Sequence, residues 1–125
     1  MRYLVDTHIL IQWVQGDKKL KNTIREVLQN SLNQVFVSVI SGIEIAIKTK
    51  TGKLKLKTSL KNLFKESSFE VLETKFSHAL ELNVLPAYHK DPFDRILISQ
   101  AKAEGLTLIT RDRKIWKYKI DLLKA

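Results

Sequence analysis

The apolar residues of this chain come in short runs that alternate between a strand-like period and a helix-like one. Tyr3, Leu4 and Val5 form a compact apolar run closed by an acid, so residues 2–6 predict a short buried strand. Ile9, Leu10, Trp13 and Val14 then recur at spacings of three and four, predicting a helix over 7–15 that Gly16-Asp17 interrupts. Leu20, Ile24, Val27 and Leu28 share one face of a second helix, expected over 19–32. The β-branched stretch 35–39 predicts a strand, and a helix follows over 41–50 until Gly52 stops it.

In the second half, 53–57 alternates Lys and Leu and predicts a weak strand or an extended segment. A helix is expected over 59–65, a strand over 69–72, a helix over 75–83 and a loop over 86–90. Pro92 opens the strongest helical pattern, 92–104, which ends at Gly105. A strand over 106–110, a short helix or turn over 112–116 and a strand over 120–123 complete the chain. Strands separated by helices imply one α/β domain, with a mostly parallel sheet covered on both faces.

Composition narrows the function. The chain has 125 residues, with 22 Lys or Arg against 13 Asp or Glu, a net charge of +9 and no cysteine. That length suits a single domain. Disulfide frameworks, thiol nucleophiles and cysteine-based zinc sites are excluded together. No run approaches the roughly 20 apolar residues that cross a bilayer, and Asp6 interrupts the opening apolar run too early for a signal peptide. The expectation is a soluble cytoplasmic protein with no membrane role. The positive charge favours polyanionic partners such as RNA, DNA or an acidic protein, without naming an activity.

The informative residues are four acids: Asp6, Glu44, Asp94 and Asp112. In an open parallel sheet, sites form just beyond the carboxyl ends of the strands, where Asp6 and Asp112 are expected to fall. Each acid also has a local explanation. Asp6 and Asp112 can cap the helices that follow them. In Asp91-Pro92-Phe93-Asp94, Asp91 fits the cap, Pro92 the first helical position and Asp94 the positive helix end. Glu44 lies close to the apolar face carrying Ile40, Ile43 and Ile47, with Lys48 four residues on as an ordinary partner.

Jointly the acids say more. Two carboxylates about 4 Å apart repel by roughly 4 kcal/mol at an effective dielectric of about 20. A hard divalent ion relieves that repulsion, since Mg²⁺ takes oxygen ligands and uses one or two carboxylates with waters. An acidic cluster in a chain of net charge +9 therefore suggests a metal that acts on a polyanion.

Four segments carry a family resemblance: Leu4-Val5-Asp6-Thr7-His8, Ser38-Val39-Ile40-Ser41-Gly42-Ile43-Glu44, Asp91-Pro92-Phe93-Asp94-Arg95 and Leu108-Ile109-Thr110-Arg111-Asp112. In this order and at these separations they resemble the PIN domain family, especially the VapC-type toxins of bacterial toxin–antitoxin pairs. The resemblance implies a three-layer α/β/α sandwich and a ribonuclease dependent on Mg²⁺ or Mn²⁺. It matches Asp6, Glu44, Asp94 and Asp112 to the family's acidic quartet, and Thr110 to its small hydroxyl residue. Asp6 and Asp94 would be the surest metal ligands, with Glu44 and Asp112 completing the site directly or through water. The ion would generate a hydroxide for in-line attack on RNA. The resemblance further implies a homodimer held by a small cognate antitoxin. His8, where many relatives carry Ser or Asn, is expected to pack or to support the ligands from behind.

Other residues are less telling. Lys48, Arg95, Arg111 and Arg113 flank the proposed ligands and are candidate phosphate contacts, equally able to neutralise the acids. Residues 48–65 hold seven lysines and no acid, which fits either a solvated face or a rail for RNA. His78 and His89 lack a zinc-ligand spacing and are not assigned to the site. Trp13 fits a core or dimer contact better than a base-stacking platform, and Trp116 is open to stacking. There is no phosphate-binding P-loop and no Gly-x-Ser-x-Gly nucleophile elbow. Two alternatives stand beside the nuclease: a non-catalytic RNA- or protein-binding module, and an aspartyl-phosphate phosphotransfer domain. The second normally shows an acid where His8 stands.

Overall fold

The computed structural model describes every residue, Met1–Ala125. Five strands form one sheet: β1 (Arg2–Val5), β2 (Gln34–Ser38), β3 (Glu70–Leu72), β4 (Thr107–Thr110) and β5 (Leu122–Lys124). All neighbouring strands are parallel, in the order β3-β2-β1-β4-β5. The sheet is thus wholly parallel, where the sequence pattern predicts a mostly parallel one. Val5 lies opposite Val37 on one side and Ile109 on the other, which places β1 at the centre. From there the chain winds outward through β2 and β3, then returns to the other side of β1 for β4 and β5. The sheet reverses its winding between β1 and β4, and a crevice opens there at the carboxyl edge.

Six helices cover the sheet: α1 (Thr7–Gln15), α2 (Asn22–Gln29), α3 (Val39–Lys50), α4 (Leu60–Ser67), α5 (Phe76–Val84) and α6 (Pro92–Glu104). A 3₁₀ turn at Ile115–Lys117 precedes β5. The central strand is apolar on both faces, as a doubly covered parallel strand must be. Tyr3 and Val5 point into one core with Ile9, Leu10, Ile24, Val37, Ile45 and Leu63. Leu4 points into the other, with Phe36, Ile40, Leu97, Ile98 and Leu108. Three layers result. Trp13 packs against the first core and stacks on Phe69 at 6.0 Å, the structural use expected of it.

Side-chain hydrogen bonds move several boundaries away from the sequence expectation. The second helix is shorter than 19–32: Asp17 Oδ1 accepts from Lys19 N–H at 2.9 Å before it, and Asn30 Oδ1 accepts from Leu32 N–H at 3.0 Å after it. Such local turns compete with helix. The third helix begins earlier than expected because Ser38 Oγ accepts from Ile40 N–H at 3.0 Å. Residues 53–57 join no strand. Their leucines, Leu54 and Leu56, pack against the first core while the intervening lysines face solvent. Gly105, at φ 65°, ends α6 in the left-handed conformation that a residue without Cβ adopts freely. No helix is long and apolar enough to cross a membrane.

Ser38 also donates to the buried Gln100 Oε1 at 2.6 Å, tying β2 to α6 beneath the carboxyl edge. Ser38→Ala removes a cap worth about 1 kcal/mol and orphans a buried amide oxygen at a cost of about 1–3 kcal/mol. Ser59 Oγ caps α4 from an exposed position. Urea unfolding should therefore show Ser38→Ala losing about 2–4 kcal/mol and Ser59→Ala only about 1 kcal/mol. Equal losses would show that the Ser38–Gln100 bond carries no stability.

Candidate metal centre

Asp6 follows β1 and Asp112 closely follows β4, so the two strands on either side of the crevice deliver acids to the same edge. Asp6 is only 4% exposed, and its Oδ1 accepts from Ile9 N–H at 2.8 Å. It is the cap of α1 and it stands at the same edge as Asp112, so capping and a place at the site do not compete. Burial raises its pKa above the usual carboxylate range. The Thr110 hydroxyl, the Ile9 N–H and His8 oppose that rise, and the Glu44 charge adds to it. Thr110, itself fully buried, also accepts from Asp112 N–H at 3.1 Å, so one hydroxyl serves both acids.

Glu44 is 2% exposed, and it is not left unpaired. Its Oε1 lies 2.7 Å from the Thr7 hydroxyl, and its Oε2 pairs with Lys48 one turn along α3. The Thr7 hydroxyl lies 2.9 Å from Ser41 Oγ as well, extending the polar group. Lys48 is held above its ordinary pKa, first by the hydrogen bond to Glu44 and then by the charges of Glu44, Asp91 and Asp94. Its ammonium thus sits at the rim of the acidic cluster.

Asp94 stands in the first turn of α6, and Asp91 caps that helix by accepting from Phe93 and Asp94 N–H. Burial is the main cause that lifts the Asp94 pKa to about 6. The Asp91 charge adds to it, His89 opposes it, and Asp6 and Glu44 raise it further. The charges of Asp6 and Glu44 are thus felt at Asp94 across three elements of the fold.

His89 is the residue that sequence reasoning missed. It is 7% exposed, and its Nε2 lies 2.8 Å from Asp94 Oδ2 and 3.1 Å from Asp112 Oδ2. The donor atoms of His89, Asp94 and Asp112 all fall within 4.8 Å of one another. Asp6 and Glu44 border this group without belonging to it. Asp112 links the two sets, since it also lines an open cavity of about 340 Å³ with Asp6, His8, Gln12 and Arg111. No spacing rule could have found His89, because the loop 85–91 is shaped by partners far along the chain.

Arg95, a candidate both for phosphates and for neutralising the acids, directs its guanidinium to the carbonyls of Leu85, Pro86 and His89 at 3.1–3.5 Å. It holds the loop. Of the two uses expected for His8, packing is ruled out: it is exposed in the cavity beside Asp6. Arg111 is exposed and lines the same cavity. Arg113 lies over the Trp116 ring at 6.0 Å, where Lys124 also approaches. His78 is buried elsewhere, accepting from Lys75 N–H at 3.0 Å and meeting Glu104 at the far end of α6.

Carboxylate oxygens, with an imidazole beside them and no thiol, form a site suited to a small divalent cation that keeps several waters. A wholly parallel sheet with acidic residues gathered at its winding reversal defines an α/β domain with a candidate site at its carboxyl edge. The sequence profile of the PIN domain matches residues 3–120, and the chain belongs to that family. No curated protein sequence matches it. Among solved structures, VapBC2 from Rickettsia felis, bound to a DNA fragment from its promoter, superposes with a TM-score of 0.72 at 19% identity. That likeness covers 100% of this chain and 99% of the other. VapBC-1 from nontypeable Haemophilus influenzae gives 0.72 at 20% identity, over 99% and 98%. FitAcB from Neisseria gonorrhoeae gives 0.69 at 20%, over 99% and 97%. Those likenesses concern the fold.

The raised Asp94 pKa sets a sign for stability. An acid with a raised folded pKa penalises the fold when ionised, so the penalty is absent below about pH 4 and complete above about pH 6. With divalent ions chelated, Asp94→Asn should be more stable than the parent chain at about pH 7.5, and the advantage should vanish by about pH 4. Urea unfolding of both chains across that range checks it; a pH-independent difference would contradict the assignment.

Proposed function

We propose that this PIN domain is a metal-dependent endoribonuclease, the toxin of a toxin–antitoxin pair, hydrolysing RNA phosphodiester bonds with Mg²⁺ or Mn²⁺. The observation that carries the reading is the gathering of Asp6, Glu44, Asp94 and Asp112 at one sheet edge, within a chain of net charge +9. Asp6 and Asp94 would hold the ion, with Glu44 and Asp112 completing the site directly or through water. When bound, the ion would make a water more acidic and more nucleophilic and would place positive charge opposite the reacting phosphate.

The chain's own groups do the positioning. The amino end of α1 and Thr110 keep the Asp6 carboxylate fixed. Thr7 and Lys48 orient Glu44. Arg111, exposed in the cavity, and Lys48 at the rim offer cationic contacts to phosphates on either side of the scissile bond. Arg113 and the lysines of 48–65 extend that positive surface, so RNA affinity falls steeply with salt.

The toxin reading draws support from neighbours of the same fold that are toxin–antitoxin complexes by name, including one from Klebsiella pneumoniae. On this reading the protein acts in the cytoplasm as a homodimer, and a small cognate antitoxin restrains it.

The test is cleavage of structured and unstructured RNA by the purified chain with Mg²⁺, with Mn²⁺ or with chelator. Cleavage should require the metal, and Asp6→Asn, Asp94→Asn and Asp112→Asn should each slow it by about 100-fold or more, a loss of about 2.7 kcal/mol of transition-state stabilisation. Equal cleavage by parent and variants would place the activity elsewhere. Metal-independent binding without cleavage of any RNA would favour a non-catalytic module.

A further inference from the structure

The loop between α5 and α6 brings a side chain to the centre that no acid-based reading uses. His89 is held there by its backbone from several directions. Its N–H donates to Tyr118 Oη at 3.0 Å, and its carbonyl accepts from Arg95 at 3.3 Å. Tyr118 in turn donates to Pro86 O at 2.7 Å, and Arg95 donates to the same carbonyl at 3.1 Å. Two residues from different parts of the chain thus lock the loop and aim the imidazole inward.

The hydrogen-bond pattern gives the ring an orientation. Asp91 N–H approaches Nδ1 at 3.5 Å while two carboxylate oxygens face Nε2, an arrangement that favours the neutral tautomer with its proton on Nε2. Nε2 faces Oδ2 of both Asp94 and Asp112. Asp112 Oδ1 meanwhile accepts from Lys114 N–H at 2.9 Å, so its outer oxygen is anchored and its inner one is directed at the histidine. An ionised carboxylate has about four lone-pair sites, enough to accept the imidazole N–H and bind an ion together.

We propose that His89 is a positioning residue of the metal centre, whose Nε2–H holds the Asp94 and Asp112 carboxylates at a separation that a single divalent ion bridges. The proposal rests on the reading of that centre as a metal site. Its physical content is preorganisation: without the donor, the two carboxylates turn apart under their own repulsion, and the ion must bring them together. Hydrogen-bonding partners of metal ligands typically carry 10–100-fold of metal affinity, about 1.4–2.7 kcal/mol. Arg95 and Tyr118 act one step further out, by keeping the loop that carries His89.

The experiment is titration of Mn²⁺ into the full chain, read by the electron paramagnetic resonance of free Mn²⁺, with unfolding curves in chelator to verify folding. His89→Ala should bind Mn²⁺ about 10–100-fold more weakly than the parent, and His89→Gln, which returns an N–H at the reach of Nε2, should recover most of that loss. Equal affinity in His89→Ala and the parent overturns the proposal. Equal weakness in the Ala and Gln variants overturns it too, because the ring nitrogen itself would then be a ligand. Should His89→Ala not fold, Tyr118→Phe carries the test, with a smaller loss expected and no loss counting against the proposal. Asp94→Asn separates this idea from its parent: if the parent chain binds no Mn²⁺, or Asp94→Asn binds it equally well, the metal centre itself is misread.

Discussion

Like charges brought together out of water are the constraint around which this structure is arranged. At about 4 Å and an effective dielectric of about 20, each close carboxylate pair costs roughly 4 kcal/mol, comparable to the net stability of many small domains. Each acid has a separate compensation. Asp6 takes the Ile9 N–H at the start of α1 and the Thr110 hydroxyl. Glu44 takes Thr7 and Lys48, and Asp94 with Asp112 takes His89. The compensation is incomplete at Asp94, whose pKa is lifted to about 6, and a divalent ion bound there would remove that residual cost.

The topology explains why the acids meet at all. A parallel sheet that winds outward in both directions from a central strand leaves one gap that no crossover helix covers. Here the gap lies between β1 and β4, and the residues just beyond those strands are Asp6 and, two positions after Thr110, Asp112. The first turns of α1 and α6 face the same edge, so their N–H groups favour negative charge there. Ser38, fixed to Gln100, couples the strand before Glu44 to the helix that carries Asp94. The cores on the two faces thus set the relative positions of groups widely separated in sequence.

Much of this was legible in the residues, and for definable reasons. Strands β1, β2 and β4 are short apolar runs between strong helical periods, and Pro92 and Gly105 bracket α6. At Asp6 the capping rule and the expected position at the carboxyl edge pointed to the same residue. What depended on long-range contact was hidden. His89 carries no periodic or spacing signal; its position comes from Arg95 and Tyr118, the latter 29 residues away. The same contacts withdraw Arg95 from the role that its charge and proximity to Asp94 suggested. The packing expected of His8 fails because a polar residue after a buried acid can turn to either side of a helix start, and here it turns to the cavity. The ends of α2 moved because Asp17 and Asn30 form turns that an apolar stripe does not reveal.

The most direct measurement is anomalous diffraction from crystals of the protein soaked in Mn²⁺. The account predicts one strong peak at the carboxyl edge, with oxygens of Asp6 and Asp94 within about 2.5 Å of it and Asp112 reaching it directly or through a water. A peak confined to other acids, or none at this edge at saturating Mn²⁺, would contradict it.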